Sequence, residues 1–475
     1  MFNKLFLALM LSLLMLPFAY ATETQPTKPI ELIVTQKNIM IDGKKEPVYW
    51  ISQPDGTWGY EGVKGQYFNV IVKNQTNVPT VIHWHGLVMP NSQDGVPETQ
   101  PLIQPGKEYA YHFKLKQAGT FWMHSHSDLQ LQRYLSAPLI IRDPNDQTKT
   151  HDVIMMLADF SPKSAETIFK ELKEGMDMPM SMAEMNNDSM KSMSSDTKSM
   201  AAKPDLNDVN YAALLTNYRT LKNPEIVRVK PGEKVRLRII NGASATNFFV
   251  NSGVLKAELI AADGEDIHPI SGQVFQIGEG QRIDLIVTIP DTKKAIYPIL
   301  AQGEGTKMQT GIILATTDAT TIPHYSETAP QAAGALSYSQ EWKLKAMHPL
   351  PQKPIDETLT VNLEGNMAKY EWKINNQMWP NITPLLVHAN HRVEMIINNQ
   401  TEMAHPIHLH GHVFEVTEID GKPVQDGAMR DTVLVMPHST VKVQFDTDNP
   451  GMWMLHCHML YHQAAGMMTM MDYEK

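Results

Sequence analysis

The chain has 475 residues, 42% hydrophobic and 19% charged, a globular composition with room for two to four ordinary domains. A net charge of -10 argues against a nucleic-acid partner, which calls for a basic surface. The one cysteine, Cys457, excludes an internal disulfide framework.

Residues 1–21 read as an export signal. Lys4 supplies a positive start, Leu5 to Phe18 form an apolar run short for a membrane span, and Ala19-Tyr20-Ala21 offers a small-x-small cleavage site. No twin arginine precedes the run, so export of the unfolded chain is expected. With the signal removed, no membrane span is expected, and the location is periplasmic or secreted.

From residue 22 onward the chain repeats itself. Asn69 to Thr76 leads into Val81-Ile82-His83-Trp84-His85-Gly86, and Val393 to Thr401 leads into Pro406-Ile407-His408-Leu409-His410-Gly411. Aligning Asn74 with Asn399 places His83 on His408, His85 on His410 and Gly86 on Gly411 without a gap. A third copy, Val235 to Gly242, has Val250 and Ser252 in the histidine slots and Gly253 in the glycine slot. A second pair of segments, Gly119 to His126 and Gly451 to His458, aligns His124 with His456 and His126 with His458. Ser125 there takes the slot of Cys457.

Short alternating strands between Gly, Asn and Pro turns predict an all-β chain of three antiparallel Greek-key sandwich or barrel domains. Their expected bounds are residues 22–150, 151–330 and 335–475, with a link over Ile322 to Pro354. The middle unit is expected to be a spacer without metal ligands. Ser164 to Glu174 suits a short helix, and residues 176–203 form a low-complexity Met/Ser/Asp insert.

A His-x-His pair on a strand sends both rings to one face, and neutral imidazole is a common metal ligand. One such pair is ordinarily two satisfied polar residues. Four pairs (His83/His85, His124/His126, His408/His410 and His456/His458) in matching slots of the first and last units point to metal. The pleat turns Cys457 away from its flanking histidines. His462 and Met467 follow it by five and ten residues, and His405 stands three before His408. Two His, one Cys and a distal Met select a blue-copper electron-transfer site, where a buried apolar thiol would be the ordinary alternative.

These motifs resemble the four copper signatures of the multicopper oxidases across the whole mature chain. Asp94-Gly95-Val96-Pro97 and the Met-rich insert are most similar to the bacterial copper-resistance branch. The resemblance implies cupredoxin-like domains and four copper ions. A type 1 copper would be held by His405, Cys457 and His462, with Met467 axial. A type 2 copper would be held by His83 and His408. A type 3 pair would be held by His85, His124, His126, His410, His456 and His458, between the first and last units.

The implied reaction is one-electron oxidation of a reductant coupled to four-electron reduction of dioxygen to water. Asp94, nine residues after His85, is the candidate proton relay, with a turn residue as its ordinary alternative. In some relatives an acid follows the second type 1 histidine; here that position is Gln463, which puts a route through it in doubt. Met176, Met178, Met180, Met182, Met185, Met190, Met193 and Met200 form a possible accessory Cu(I) site, since thioethers suit that ion. Glu402 and Met403 are candidates for the type 1 edge. The expected electron donor is Cu(I) or another metal ion in copper tolerance; the alternatives are a laccase-like oxidase of small phenols and a copper-sequestering protein.

Overall fold

The computed structural model describes residues 28–175 and 208–474. The expected export signal and the eight methionines of the insert lie outside them. The described chain is nearly all β, in six sheets that fall in three successive pairs.

The first pair joins strands 44–52, 30–41, 67–74 and 108–114 in one sheet and 60–63, 136–142, 119–125 and 82–85 in the other. The middle pair has six strands (213–216, 151–160, 234–241, 282–288, 257–262, 265–272) and five (225–229, 309–316, 296–303, 248–251, 274–277). The last pair sets 371–374, 357–366, 392–399, 440–446, 414–419 and 422–423, with 429–430 beside 414–419, against 385–387, 468–473, 452–457, 405–409 and 432–435. Neighbours in these orders are often far apart in sequence, as Greek-key connections require.

Burial with period two builds the scaffold strands. Along Tyr67–Asn74, Phe68, Val70, Val72 and Asn74 are buried and the alternate residues are not. Thr440–Asp446 repeats the pattern with Val441, Val443 and Phe445. One core body runs continuously through the first and last units and includes Trp84, Phe121, Ile407, Leu455 and Cys457. A second, with Leu237, Phe248, Val250 and Ile283, fills the middle unit.

The repeat is physical as well as textual. Asn74, Asn241 and Asn399 are all buried, and each donates from Nδ2 to two or more carbonyls of the following turn and neighbouring strand. Each also accepts, at Oδ1, the backbone N–H two residues on. Gly86, Gly253 and Gly411 share positive φ values of 89°, 63° and 65°, a conformation that a side chain disfavours.

The expected helix forms as Ala165–Glu174. Ser164 caps it by accepting from Thr167 N, Gly175 ends it at φ 71°, and Ala165, Ile168 and Leu172 form its buried stripe. No helix among the described residues is long and apolar enough to cross a membrane.

Candidate metal centres

Strand pairing delivers the histidines in register. Ile82–His85 pairs antiparallel with Gly119–Ser125, setting His83 opposite His124. His405–Leu409 pairs with Met452–Cys457, setting His408 opposite His456 and Ile407 opposite Cys457. Alternation then puts His405 and Cys457 on one face of this sheet, and His408 and His456 on the other. These four strands lose the usual exposed face: nearly every residue in them is buried.

The His408 face meets its counterpart from the first unit. His83 stacks on His410 at 3.8 Å between ring centroids, and His85 on His408 at 3.7 Å. Each ring thus stacks on the non-equivalent member of the other pair, the pattern of two copies related by a local two-fold. Three groups emerge whose ligand atoms lie within 4.8 Å of one another: His83/His85/His408, His85/His124/His458 and His126/His410/His456. Seven of these eight histidines are buried, and His126 is half-buried.

The donor set fits metal. Among the described residues, His83 Nε2, His85 Nδ1, His124 Nε2, His408 Nε2 and both nitrogens of His458 are buried without a hydrogen-bond partner. Native interiors rarely leave so many polar atoms unpaired. His410 Nε2 and His126 Nε2 lie 3.0 and 3.3 Å from His456 Nε2, a convergence of lone pairs that a cation would resolve. Burial holds His85, His124, His126, His410, His456 and His458 well below the usual histidine pKa, hence neutral and ready to ligate.

A separate buried centre lies on the Cys457 face. Cys457 Sγ is 3.6 Å from His405 Nδ1 and 3.9 Å from His462 Nδ1, and these two nitrogens are 3.1 Å apart. Their outer nitrogens are engaged: His405 Nε2 with Thr401 Oγ1 at 2.7 Å, and His462 Nε2 with Asp208 Oδ2 at 3.1 Å. Such outer contacts fix ring orientation in metal sites. Trp372 covers His462 at 3.9 Å between centroids. Met467 is buried, and its carbonyl accepts from Cys457 N.

Asp94 sits in the chamber wall, fully buried. Its carbonyl is 2.9 Å from His83 Nδ1, and its Oδ2 is 3.0 Å from His410 Nδ1. Asp431 is its mirror. The Asp431 carbonyl is 2.8 Å from His408 Nδ1, and its Oδ1 is 3.0 Å from His85 Nε2. Sequence reasoning missed Asp431. The signal was the shared Asp-x-Val of Asp94-Gly95-Val96 and Asp431-Thr432-Val433, hidden because the last unit spaces it differently from its histidine.

The two acids differ in one respect. Buried Arg282 grips Asp431 through Nη1–Oδ1 at 2.8 Å and Nη2–Oδ2 at 2.5 Å. Burial opposes the Asp431 charge, but the guanidinium holds the carboxyl below the usual carboxylate range. Among the described residues, the ion pairs of Asp94 are to His83 and His410 only.

Arg282 corrects the reading of the middle unit as a mere spacer. It belongs to that unit, donates from Nε to Thr120 O in the first, and pairs with Asp431 in the last. Gly280, two residues earlier, has φ +80°, and a Cβ there would meet His458 at 2.8 Å and His85 at 3.2 Å. Only glycine lets this backbone form the chamber wall. Asp208, also missed, reaches His462 through a contact that no local pattern announces.

Other candidates separate cleanly. Glu402 is exposed and pairs with His438 at 3.0 Å, while Met403 is buried. His412 bonds to Tyr473 and the His410 carbonyl, the role of a satisfied core residue. Gln463 donates to Met468 Sδ at 3.8 Å.

Removing the guanidinium would leave Asp431 buried without its cation, a loss of about 3–5 kcal/mol. Calorimetry of Arg282→Met should therefore show a clearly lowered thermal midpoint. An unchanged midpoint would mean that the pair does not tie the three units together.

Comparison with known proteins agrees with this geometry. Profiles described as multicopper oxidase match residues 34–146, 151–328 and 352–475. The chain is similar to Multicopper oxidase MmcO of Mycobacterium tuberculosis, 31% identical over 86% of this chain and 80% of the relative. It is also similar to Copper resistance protein A of Escherichia coli, 25% identical over 85% and 86%. The solved laccase of Botrytis aclada superposes with a TM-score of 0.74 at 24% identity, covering 94% of this chain and 87% of that one, a likeness of fold. With three cupredoxin-like domains and a histidine chamber between the first and last of them, the chain belongs to the multicopper oxidases, copper-binding oxidoreductases that reduce dioxygen.

Proposed function

We propose that this oxidase takes electrons from Cu(I) at the Cys457 centre and serves copper tolerance. The observation that carries the reading is where the Met-rich insert joins the described fold. On one side the helix Ala165–Glu174 lays Phe169 against Tyr461 and Tyr370, at 6.4 and 6.5 Å between centroids. On the other, Asp208 bonds His462 Nε2 and accepts from the Tyr370 hydroxyl at 2.6 Å. The described residues on both sides of a stretch with eight methionines thus pack beside the Cys457 centre. Met176, Met178, Met180, Met182, Met185, Met190, Met193 and Met200 would gather Cu(I) there. The similarity to a copper resistance protein supports the role in copper tolerance.

Four copper ions fit the two donor sets. His405, Cys457 and His462, with Met467, would hold a type 1 copper, and His83 and His408 a type 2 copper. The pair of triads His85/His124/His458 and His126/His410/His456 would hold the type 3 pair. When bound, these ions would supply one-electron acceptance at one end and dioxygen reduction at the other, the four together storing the four electrons that dioxygen takes.

The chain supplies the wiring. His456 and His458 flank Cys457 covalently and fall in different triads, so the thiolate is one residue from each. Asp94, without the guanidinium that clamps Asp431, is the carboxyl suited to exchange a proton at Oδ2 beside His410. The N-terminal segment supports export to the periplasm or beyond.

Steady-state turnover of copper-loaded protein with Cu(I), Fe(II) and a phenol tests the donor. Deleting residues 176–200 should lower Cu(I) oxidation while phenol turnover holds or rises. Equal loss on all donors would contradict the assignment, and oxidation that stops at stoichiometry would mark a sequestering protein. Asp94→Asn should slow oxygen reduction by roughly 10²-fold or more, the scale of general acid catalysis, with the thiolate-to-copper absorption intact. Unchanged turnover would remove Asp94 from the mechanism.

A further inference from the structure

Behind the chamber the middle unit buries two carboxyl groups, Glu279 and Glu304, each about 3% exposed. Among the described residues neither forms an ion pair. Unpaired acids at such depth are costly unless they keep their protons.

Glu279 lies in the turn between strands 274–277 and 282–288, next to Gly280, whose backbone abuts His458 and His85. The turn is pinned to the chamber: Gln281 Nε2 donates to Thr432 O at 3.0 Å, and Gly280 N to Asn241 O at 2.9 Å. Glu279 Oε2 is buried with no hydrogen-bond partner among the described residues. Asn247 stands between the two residues, accepting from the backbone N–H of Glu279 at 3.3 Å and donating to the Glu304 carboxyl at Oε2 at 3.0 Å. Glu304 Oε1 accepts from Leu336 N at 2.6 Å, and Leu336 lines a cleft with Gln276, Gln281 and Tyr338.

We propose that Glu304 and Glu279 form a carboxyl relay, carrying protons from the cleft at Leu336 to the chamber wall at His458 during oxygen reduction. The relay rests on the reading of the chain as an oxygen-reducing oxidase. Each dioxygen takes up four electrons and four protons to give two waters. A proton leaving Glu279 is replaced from Glu304, and one leaving Glu304 from solvent in the cleft, so both acids end the cycle protonated. Burial pushes Glu279 up to about 8, and the nearby Glu304, Asp159 and Asp208 carboxyls add to the rise. Burial likewise pushes Glu304 up to about 7, against hydrogen bonds from Leu336 and Asn247. A raised acid keeps its proton below its pKa and loses it above, so delivery should weaken as pH passes about 7, where Glu304 ionises, and fail above about 8, where Glu279 does too.

The test compares wild type, Glu279→Gln and Glu304→Gln. Reduced, copper-loaded protein is mixed with oxygen across the pH range, and metal-free protein is examined by infrared spectroscopy for the carbonyl band of a protonated carboxylic acid. Wild-type reoxidation should fall from about pH 7 and be largely lost above about pH 8. In Glu279→Gln it should be roughly tenfold or more slower, without that inflection, while Cu(I) still reduces the Cys457 centre at the normal rate. The metal-free band should weaken in both variants. Glu304→Gln should slow reoxidation with copper loading intact, and normal reoxidation there would break the relay at its outer step. A wild-type profile in Glu279→Gln, or an unchanged band, overturns the proposal alone. A wild type that reduces no oxygen overturns the reading on which it rests.

Discussion

Side chains on a β-strand alternate between faces, and in Met452–Cys457 this alternation is put to chemical use. Cys457 points with His405 toward the sandwich interior, where His462 joins them from the short helix Leu460–Ala464. His456 points the opposite way, toward the first unit. One strand therefore faces two centres. The cost is that neither face can be given to solvent, which is why the ligand-bearing strands are buried on both sides.

A chamber of eight imidazoles would be unstable if the rings were charged. Burial holds His85, His124, His126, His408, His410, His456 and His458 below the usual histidine pKa, and the surrounding polar atoms set which way each ring turns. Here the doubled architecture matters. Asp94 and Asp431 occupy equivalent places, yet Arg282 fixes the charge of only one of them. The arginine comes from the unit that contributes no histidine to the chamber. That unit is the keystone between the other two: its Arg282 and Gly280 are shaped to the chamber they do not fill.

Much of this was legible because the repeat is gap-free where it matters. The step from Asn74 to His83 equals that from Asn399 to His408, and the buried asparagine performs the same turn closure in all three copies. The His-x-His pattern translates directly into a shared face. Asp431 was illegible because its distance from His408 is 23 residues, against 11 between His83 and Asp94. The strands 414–419, 422–423 and 429–430 fill the difference. Arg282 and Asp208 were illegible for another reason: their contacts join residues 149 and 254 apart, and no local spacing encodes such a meeting.

The central claim is that one sulfur anchors a copper centre distinct from the histidine chamber, yet covalently joined to it. Optical and paramagnetic spectra of fully copper-loaded wild type and Cys457→Ser address this most directly. The account predicts an intense thiolate-to-copper absorption in wild type that vanishes in the variant, while the chamber keeps its own copper signal. Absence of that absorption in wild type, or its survival without the sulfur, would contradict it.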